Sequence, residues 1–204
     1  MKKYKLTDET KEFLGITLHR IVCVTAFANV SAGDLGGWVE SEKNLSQDGD
    51  AWVSDKACVY GNARVFGDAR VYGDAWVYGN ACVYGNALVY GDARVYGNAC
   101  VYGDAWVSGD ARVYGNARVY GDACVYGNAL VEKTADYIVL KNNWSSGRYF
   151  TYTLSNKMWK VGCFYGTGEE LVKKAYADSK LSGKCYAASV SYVESLEKIQ
   201  AEVK

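Results

Sequence analysis

The stretch GNARVFGDARVYGDAWVYGNA, residues 61–81, states a six-residue rule: Ala, a variable residue, Val, an aromatic, Gly, then Asn or Asp. The rule runs without insertion from residue 51 to residue 131. Valine holds every sixth position from Val53 to Val131, and alanine every sixth from Ala51 to Ala129. Glycine holds every sixth position from Gly61 to Gly127. Before each of these glycines, from Tyr60 to Tyr126, the position after valine is tyrosine except at Phe66 and Ser108.

Each hexad reads as a short strand and a turn. Side chains alternate across a strand, so Ala and Val share one face and the variable residue takes the other. Gly-Asn and Gly-Asp are turn dipeptides because both residues tolerate positive φ. One hexad cannot bury its own Ala and Val, so successive coils must stack into a parallel solenoid with a narrow interior. Hairpins are excluded, because the turn recurs after only three or four strand residues.

The run at 61–81 resembles the hexapeptide-repeat proteins, and that resemblance implies a left-handed parallel β-helix with three faces and eighteen residues per coil. The expected fold is therefore mainly β, a triangular solenoid of about 5–6 coils over residues 50–133. Residues 1–49 are expected to supply N-terminal strands and a capping coil, with a strand in GITLHRIVCV and the first irregular coil at Trp38-Val39 and Leu45. The segment GDLGGWVESEKNLSQDG resembles the leader of hexapeptide-repeat proteins common in bacteriophage genomes and in some bacteria. Residues 134–204 change character and predict a small α+β domain. YIVLKN, RYFTYTLSN and KMWKVGCFYGT read as three strands. Thr167-Gly-Glu-Glu170 is a capping box opening a helix through about Lys180, and a second helix follows with Tyr186, Val190, Val193, Leu196 and Val203 on one face.

Composition narrows the function. The chain has 204 residues, half of them hydrophobic, with 23 basic and 23 acidic side chains. Balanced charge points away from nucleic acid polymers and acidic membranes. No apolar run reaches the roughly 18–20 residues that a membrane span needs. MKKYKLTDETKEF lacks an apolar stretch behind its lysines, so no signal peptide is expected and the cytoplasm is the expected compartment, in the bacterial host if phage-encoded. Seven cysteines without a CxxC pair, beside one histidine, point to neither a disulfide framework nor a metal site.

Stacking residues eighteen apart sorts the outward positions into columns. One holds Trp52, Arg70, Leu88, Trp106 and Cys124; the second Cys58, Trp76, Arg94, Arg112 and Leu130; the third Arg64, Cys82, Cys100 and Arg118. Outward Trp, Leu and Cys imply covered faces, and the resemblance implies a homotrimer. Asn62, Asn80, Asn98 and Asn116 form a corner free of carboxylates, whereas all six acidic turn residues from Asp68 onward lie on the other two. Beside it stand Tyr60, Tyr78, Tyr96 and Tyr114. Trp76, Arg94, Arg112, Tyr78, Tyr96, Tyr114, Arg64 and Arg118 are accordingly the candidate ligand-binding residues: arginine supplies bidentate donors to phosphate, and the aromatic rings supply stacking surface. The alternative pairs Arg94 and Arg112 with Asp92 and Asp110 two residues earlier, or with a neighbouring subunit, and makes the tyrosines plain ladders.

Catalysis is less legible. Hexapeptide-repeat acyltransferases, to which the resemblance points, rely on a histidine base and an extruded loop; here His19 lies upstream of an uninterrupted repeat. Cys82 and Cys100 stack with Arg64 and Arg118 at the column ends, a setting that predicts a lowered thiol pKa. Arg148, Tyr149, Lys157, Trp159, Lys160 and Tyr165 form a basic–aromatic mix suited to a phosphate-bearing ligand or to docking. No cofactor is expected. The reading is a non-enzymatic oligomer that sequesters a small anionic, nucleotide-like ligand, with phage counter-defence suggested by the leader. A hexapeptide-repeat acyl or nucleotidyl transferase and a structural or assembly scaffold stand as alternatives.

Overall fold

The computed structural model describes residues 2–202, and the chain divides into two units, Met1–Thr134 and Ala135–Lys204. In the first, β1 (Tyr4–Phe13), β2 (Ile16–Cys23) and β3 (Leu35–Val39) precede two-residue strands spaced six residues apart, from β4 (Trp52–Val53) to β17 (Leu130–Val131). These short strands pair in parallel with the strand eighteen residues on, which makes a three-faced parallel solenoid of about five turns. The columns read from the sequence are the observed ladders. Trp52, Arg70, Leu88, Trp106 and Cys124 are in register, as are Cys58, Trp76, Arg94, Arg112 and Leu130, and Arg64, Cys82, Cys100 and Arg118.

The interior is the valine and alanine stack, with Val53 to Val131 and Ala51 to Ala129 all essentially inaccessible. Backbone hydrogen bonds tie each coil to the next, for example Trp76 N to Ala93 O at 2.9 Å and Tyr78 N to Val95 O at 3.0 Å. The corners need glycine on two counts. Gly73 has φ +71°, and a Cβ built there would stand 3.0 Å from Gly91 N on the next coil. Asp55, with φ 57°, takes this corner position in the coil before the glycine run, where its carboxylate accepts from Gly73 N at 3.0 Å.

The first turn is irregular and capped. Trp38 and Val39 lie in register with Cys58 and Val59, and Leu45 bridges to Val65. Asn44, fully buried, donates to Gly61 O and Ala63 O at 3.0 and 2.9 Å. Lys3 donates to Gly49 O and Ala51 O at 3.0 and 2.9 Å. These side chains satisfy carbonyls that have no preceding coil to bond, and burial lowers the Lys3 pKa. GITLHRIVCV supplies β2, but β1 carries no clear alternation and emerges only as its hairpin partner, through a turn at Leu14 and Gly15 that both hold positive φ.

The second unit is an antiparallel sheet β18 (Tyr137–Lys141), β19 (Tyr149–Thr153), β20 (Met158–Val161) and β21 (Phe164–Gly166) with two helices. The expected third strand is two, because Gly162, at φ +53°, folds KMWKVGCFYGT back on itself. Helix α1 (Gly168–Asp178) starts at the capping box: Glu170 N donates to Thr167 Oγ1 at 3.3 Å, and Thr167 N to Glu170 Oε2 at 2.8 Å. Helix α2 (Lys180–Glu202) buries Tyr186, Val190 and Val193 against Phe150, Tyr152, Trp159 and Leu171; Leu196 is half-buried, and Val203 lies outside the described residues. No helix here is long and apolar enough to cross a membrane among the described residues.

Candidate functional site

The widest sheet carries the candidate face. Its outward ladder reads Trp38, Cys58, Trp76, Arg94, Arg112 and Leu130. The Arg94 guanidinium lies over the Trp76 ring, 4.7 Å from its centroid. Arg94 and Arg112 occupy adjacent strands, a spacing of about 4.8 Å that sets two positive charges directly opposite one another. Among the described residues neither has a carboxylate within ion-pairing distance, so Asp92 and Asp110 do not neutralise them. Two cations in register beside a half-buried ring make a surface that an anion with an aromatic portion relieves.

The adjoining corner has two ladders. Tyr60, Tyr78, Tyr96 and Tyr114 stack with ring centroids 5.1, 4.9 and 5.3 Å apart and planes within 9°. Burial pushes the Tyr60 hydroxyl up to about 12, with Tyr78 and Cys58 adding to it and Arg94 opposing. Tyr78 is raised by burial and by Tyr96, while Arg94 and Arg112 pull it down, so the arginine field reaches the tyrosine row. Beneath it, Asn62 Nδ2 donates to Asn80 Oδ1 at 3.1 Å, Asn80 to Asn98 at 3.0 Å, and Asn98 to Asn116 at 3.2 Å. An amide both donates and accepts; a carboxylate only accepts. The ladder therefore supplies a structural reason for a corner without Asp, beside the electrostatic one.

Residues outside the repeat complete this face. The tip of the β1–β2 hairpin turns over it, setting Phe13 edge-on to Trp76 at 4.7 Å and to Tyr60 at 5.9 Å. Lys11 Nζ and the Arg20 guanidinium lie 4.5 and 5.4 Å from the Trp38 ring centroid. Between hairpin and face is a cleft of about 610 Å³ whose walls include Lys11, Arg20, Trp38, Lys56, Cys58 and Trp76. Asp55 and Asp74 also line it, and Lys56 is 3.8 Å from Asp74. Burial raises the Cys58 thiol. The hexad register carries no information about Lys11, Phe13 and Arg20, because they meet the solenoid only through the hairpin.

Other candidates lie apart. Arg64 and Arg118 stand on a different face, three strands from one another in the ladder Arg64, Cys82, Cys100, Arg118, so they do not converge with each other or with Trp76. Arg64 instead covers Phe66 at 5.7 Å. The activated-thiol expectation is corrected: burial raises the Cys82 pKa, Cys100 adds to it, and Arg64 only opposes. His19 pairs with Thr10 and Val39 and, by strand alternation, points away from the side on which Leu18 and Arg20 meet Trp38. In the second unit the basic–aromatic group is split, since Trp159 is core while its strand neighbours Met158 and Lys160 are half-buried on the other side.

A family model described as YdcK Beta solenoid repeat matches residues 57–73, 63–79, 93–109 and 111–127, all within the stacked hexads. The chain is a hexapeptide-repeat-like β-helix protein. Among its relatives is the "Uncharacterized acetyltransferase YdcK" of Escherichia coli (strain K12), 33% identical over 72 residues. The similarity covers 31% of this chain and 22% of that protein. The matched repeats of the family model lie within the solenoid, whereas the hairpin tip at Phe13 and the unit beyond Thr134 lie outside them.

Proposed function

We propose that this hexapeptide-repeat-like protein is a non-enzymatic binding protein that sequesters a small anionic, nucleotide-like ligand on the Trp76–Arg94–Arg112 face. The observation that carries this reading is the uncompensated Arg94–Arg112 pair, with Arg94 laid on the Trp76 ring. In this reading the guanidinium groups hold phosphate, the indole of Trp76 stacks with a base, and Tyr78, Tyr96 and Tyr114 line the rim. Lys11 of the cleft extends the positive field, while Arg20 is ion-paired with Glu9 at 3.5 Å. The assembly is a cytoplasmic homotrimer, which would cover such outward side chains as Trp106 and Leu130, 45% and 42% exposed in the single chain. Sequestration of a nucleotide signal is the role a phage-encoded protein of this kind would fill.

Native mass spectrometry of the untagged protein tests this directly, followed by release and identification of any bound small molecule. Arg94→Met and Arg112→Met together should weaken binding at least about tenfold while the oligomer mass stays unchanged. Dissociation of the oligomer in that variant would make the arginines interface residues and overturn the site.

The name of the Escherichia coli relative favours a second reading, transfer of an acetyl group. Turnover of an acetyl donor by the wild-type chain would establish it. The direction of His19, away from the Trp38 side of the hairpin, supports binding over transfer.

A further inference from the structure

A cavity of about 310 Å³ in the second unit is walled by groups with donors to spare. Asn142, 2% exposed, organises it. Its Oδ1 accepts from Ser145 N at 3.0 Å, and the two hydrogens of its Nδ2 are shared among Ser145 Oγ, Ser146 Oγ and the Tyr186 hydroxyl, at 2.9, 3.3 and 3.2 Å. Ser146 Oγ accepts a second bond from Arg148 N at 3.4 Å. The Ser146 and Tyr186 oxygens are thereby used as acceptors, and among the described residues neither hydroxyl donates to anything. Tyr186 is buried, so its left-over O–H calls for an acceptor, while the Ser146 hydroxyl stands exposed at the cavity mouth.

Two cations share these walls. Arg148 crosses the Gly162 turn, where a Cβ would come 3.3 Å from its Nη1. Lys174 lies over the Phe164 ring at 5.6 Å. Neither has a carboxylate within ion-pairing distance among the described residues, and Asp178 is the one acidic side chain in the lining. Ser182 adds a further hydroxyl. Five donor side chains facing one acidic group select a ligand that only accepts and carries more than one negative charge, which is the chemistry of a phosphate. The volume exceeds that of a bare ion and sits at the lower end of the roughly 300–1,000 Å³ range of small-molecule pockets.

We infer that this cavity binds the phosphate group of a small phosphomonoester. Arg148 and Lys174 hold the charge, Ser146 and Tyr186 donate to its oxygens, and Asp178 accepts from a hydroxyl or ammonium group on the organic part. This site is independent of the solenoid face: its residues lie in the other unit, and its failure leaves the Trp76–Arg94–Arg112 reading standing.

The test titrates the full chain with inorganic phosphate and, separately, with glycerol 3-phosphate. The readouts are calorimetry and the tryptophan emission, since Trp144 stands edge-on to Tyr186 at 5.1 Å. The expected result is saturable binding, tighter for the ester, that falls roughly tenfold in Arg148→Met and in Lys174→Met. Ser146→Ala, which removes one hydroxyl and leaves both cations, should lower affinity severalfold with the circular dichroism unchanged. Trp76→Ala should leave this binding intact. Absence of saturation into the tens of millimolar overturns the site, as does an affinity unmoved by all three substitutions. Ester binding no tighter than that of inorganic phosphate overturns the ester assignment.

Discussion

Replacing Asn80 by aspartate, an isosteric change at one atom, separates the two reasons for the carboxylate-free corner. Asn80 accepts from Asn62 at 3.1 Å and donates to Asn98 at 3.0 Å. Asn80→Asp keeps the first bond and deletes the second, and it turns an oxygen toward Asn98 Oδ1 where a hydrogen had been. One lost hydrogen bond is worth about 1 kcal/mol, and the oxygen–oxygen contact adds a fraction that exposure to solvent keeps small. The expected loss is about 1–1.5 kcal/mol, or roughly 3–5 °C in Tm for a unit of this size. Asn116→Asp is the contrast. Asn116 ends the ladder and only accepts from Asn98, so its carboxylate keeps every bond and stability should not move. The same polarity is seen on another corner, where Asn86 donates to Asp104 Oδ1 at 3.0 Å. Thermal melts and urea midpoints of the two variants give the answer. Equal losses, or none for Asn80→Asp, would refute the directional ladder. If Asn116→Asp retains stability yet loses ligand affinity, the corner is neutral for the ligand's sake as well.

Three further expectations follow from the packing. Val95→Ala empties a site in the solenoid interior between Val77 and Val113; two methylene equivalents plus the residual cavity should cost about 2–3 kcal/mol, read from the urea midpoint. Tyr60 ionises near 12 in the fold against an ordinary value of 10.0, so its neutral form is the one the fold favours. Its contribution to stability should be whole below pH 10 and decline as pH rises toward 12; tyrosinate absorbance and melts across that window check it, and Tyr60→Phe should flatten the decline. Because burial raises the Cys82 thiol while Cys163 is exposed, a thiol reagent near neutral pH should label Cys163 well before Cys82, as peptide mass mapping would record.

The hexads are readable because their information is local. Alternation decides which way each side chain points, and an eighteen-residue coil places Trp76 beside Arg94 and Arg94 beside Arg112 as soon as three faces are assumed. The capping box at Thr167 is legible for the same reason, its partners being three residues apart. The structure alone decided what depends on contacts without a period. Phe13 reaches Trp76 only because the β1–β2 hairpin bends over the face, and Lys11 finds Trp38 by the same route. Gly162 split a strand that reads as continuous, and Asn142 gathered Ser146 and Tyr186, forty residues apart, around one cavity. Arginine at the ends of the cysteine column suggested a reactive thiol, yet burial outweighed it, because desolvation depends on the surrounding packing and no spacing in the chain encodes that. Repetition determined the register of this protein; the bends of its hairpin and turns determined which side chains share a site.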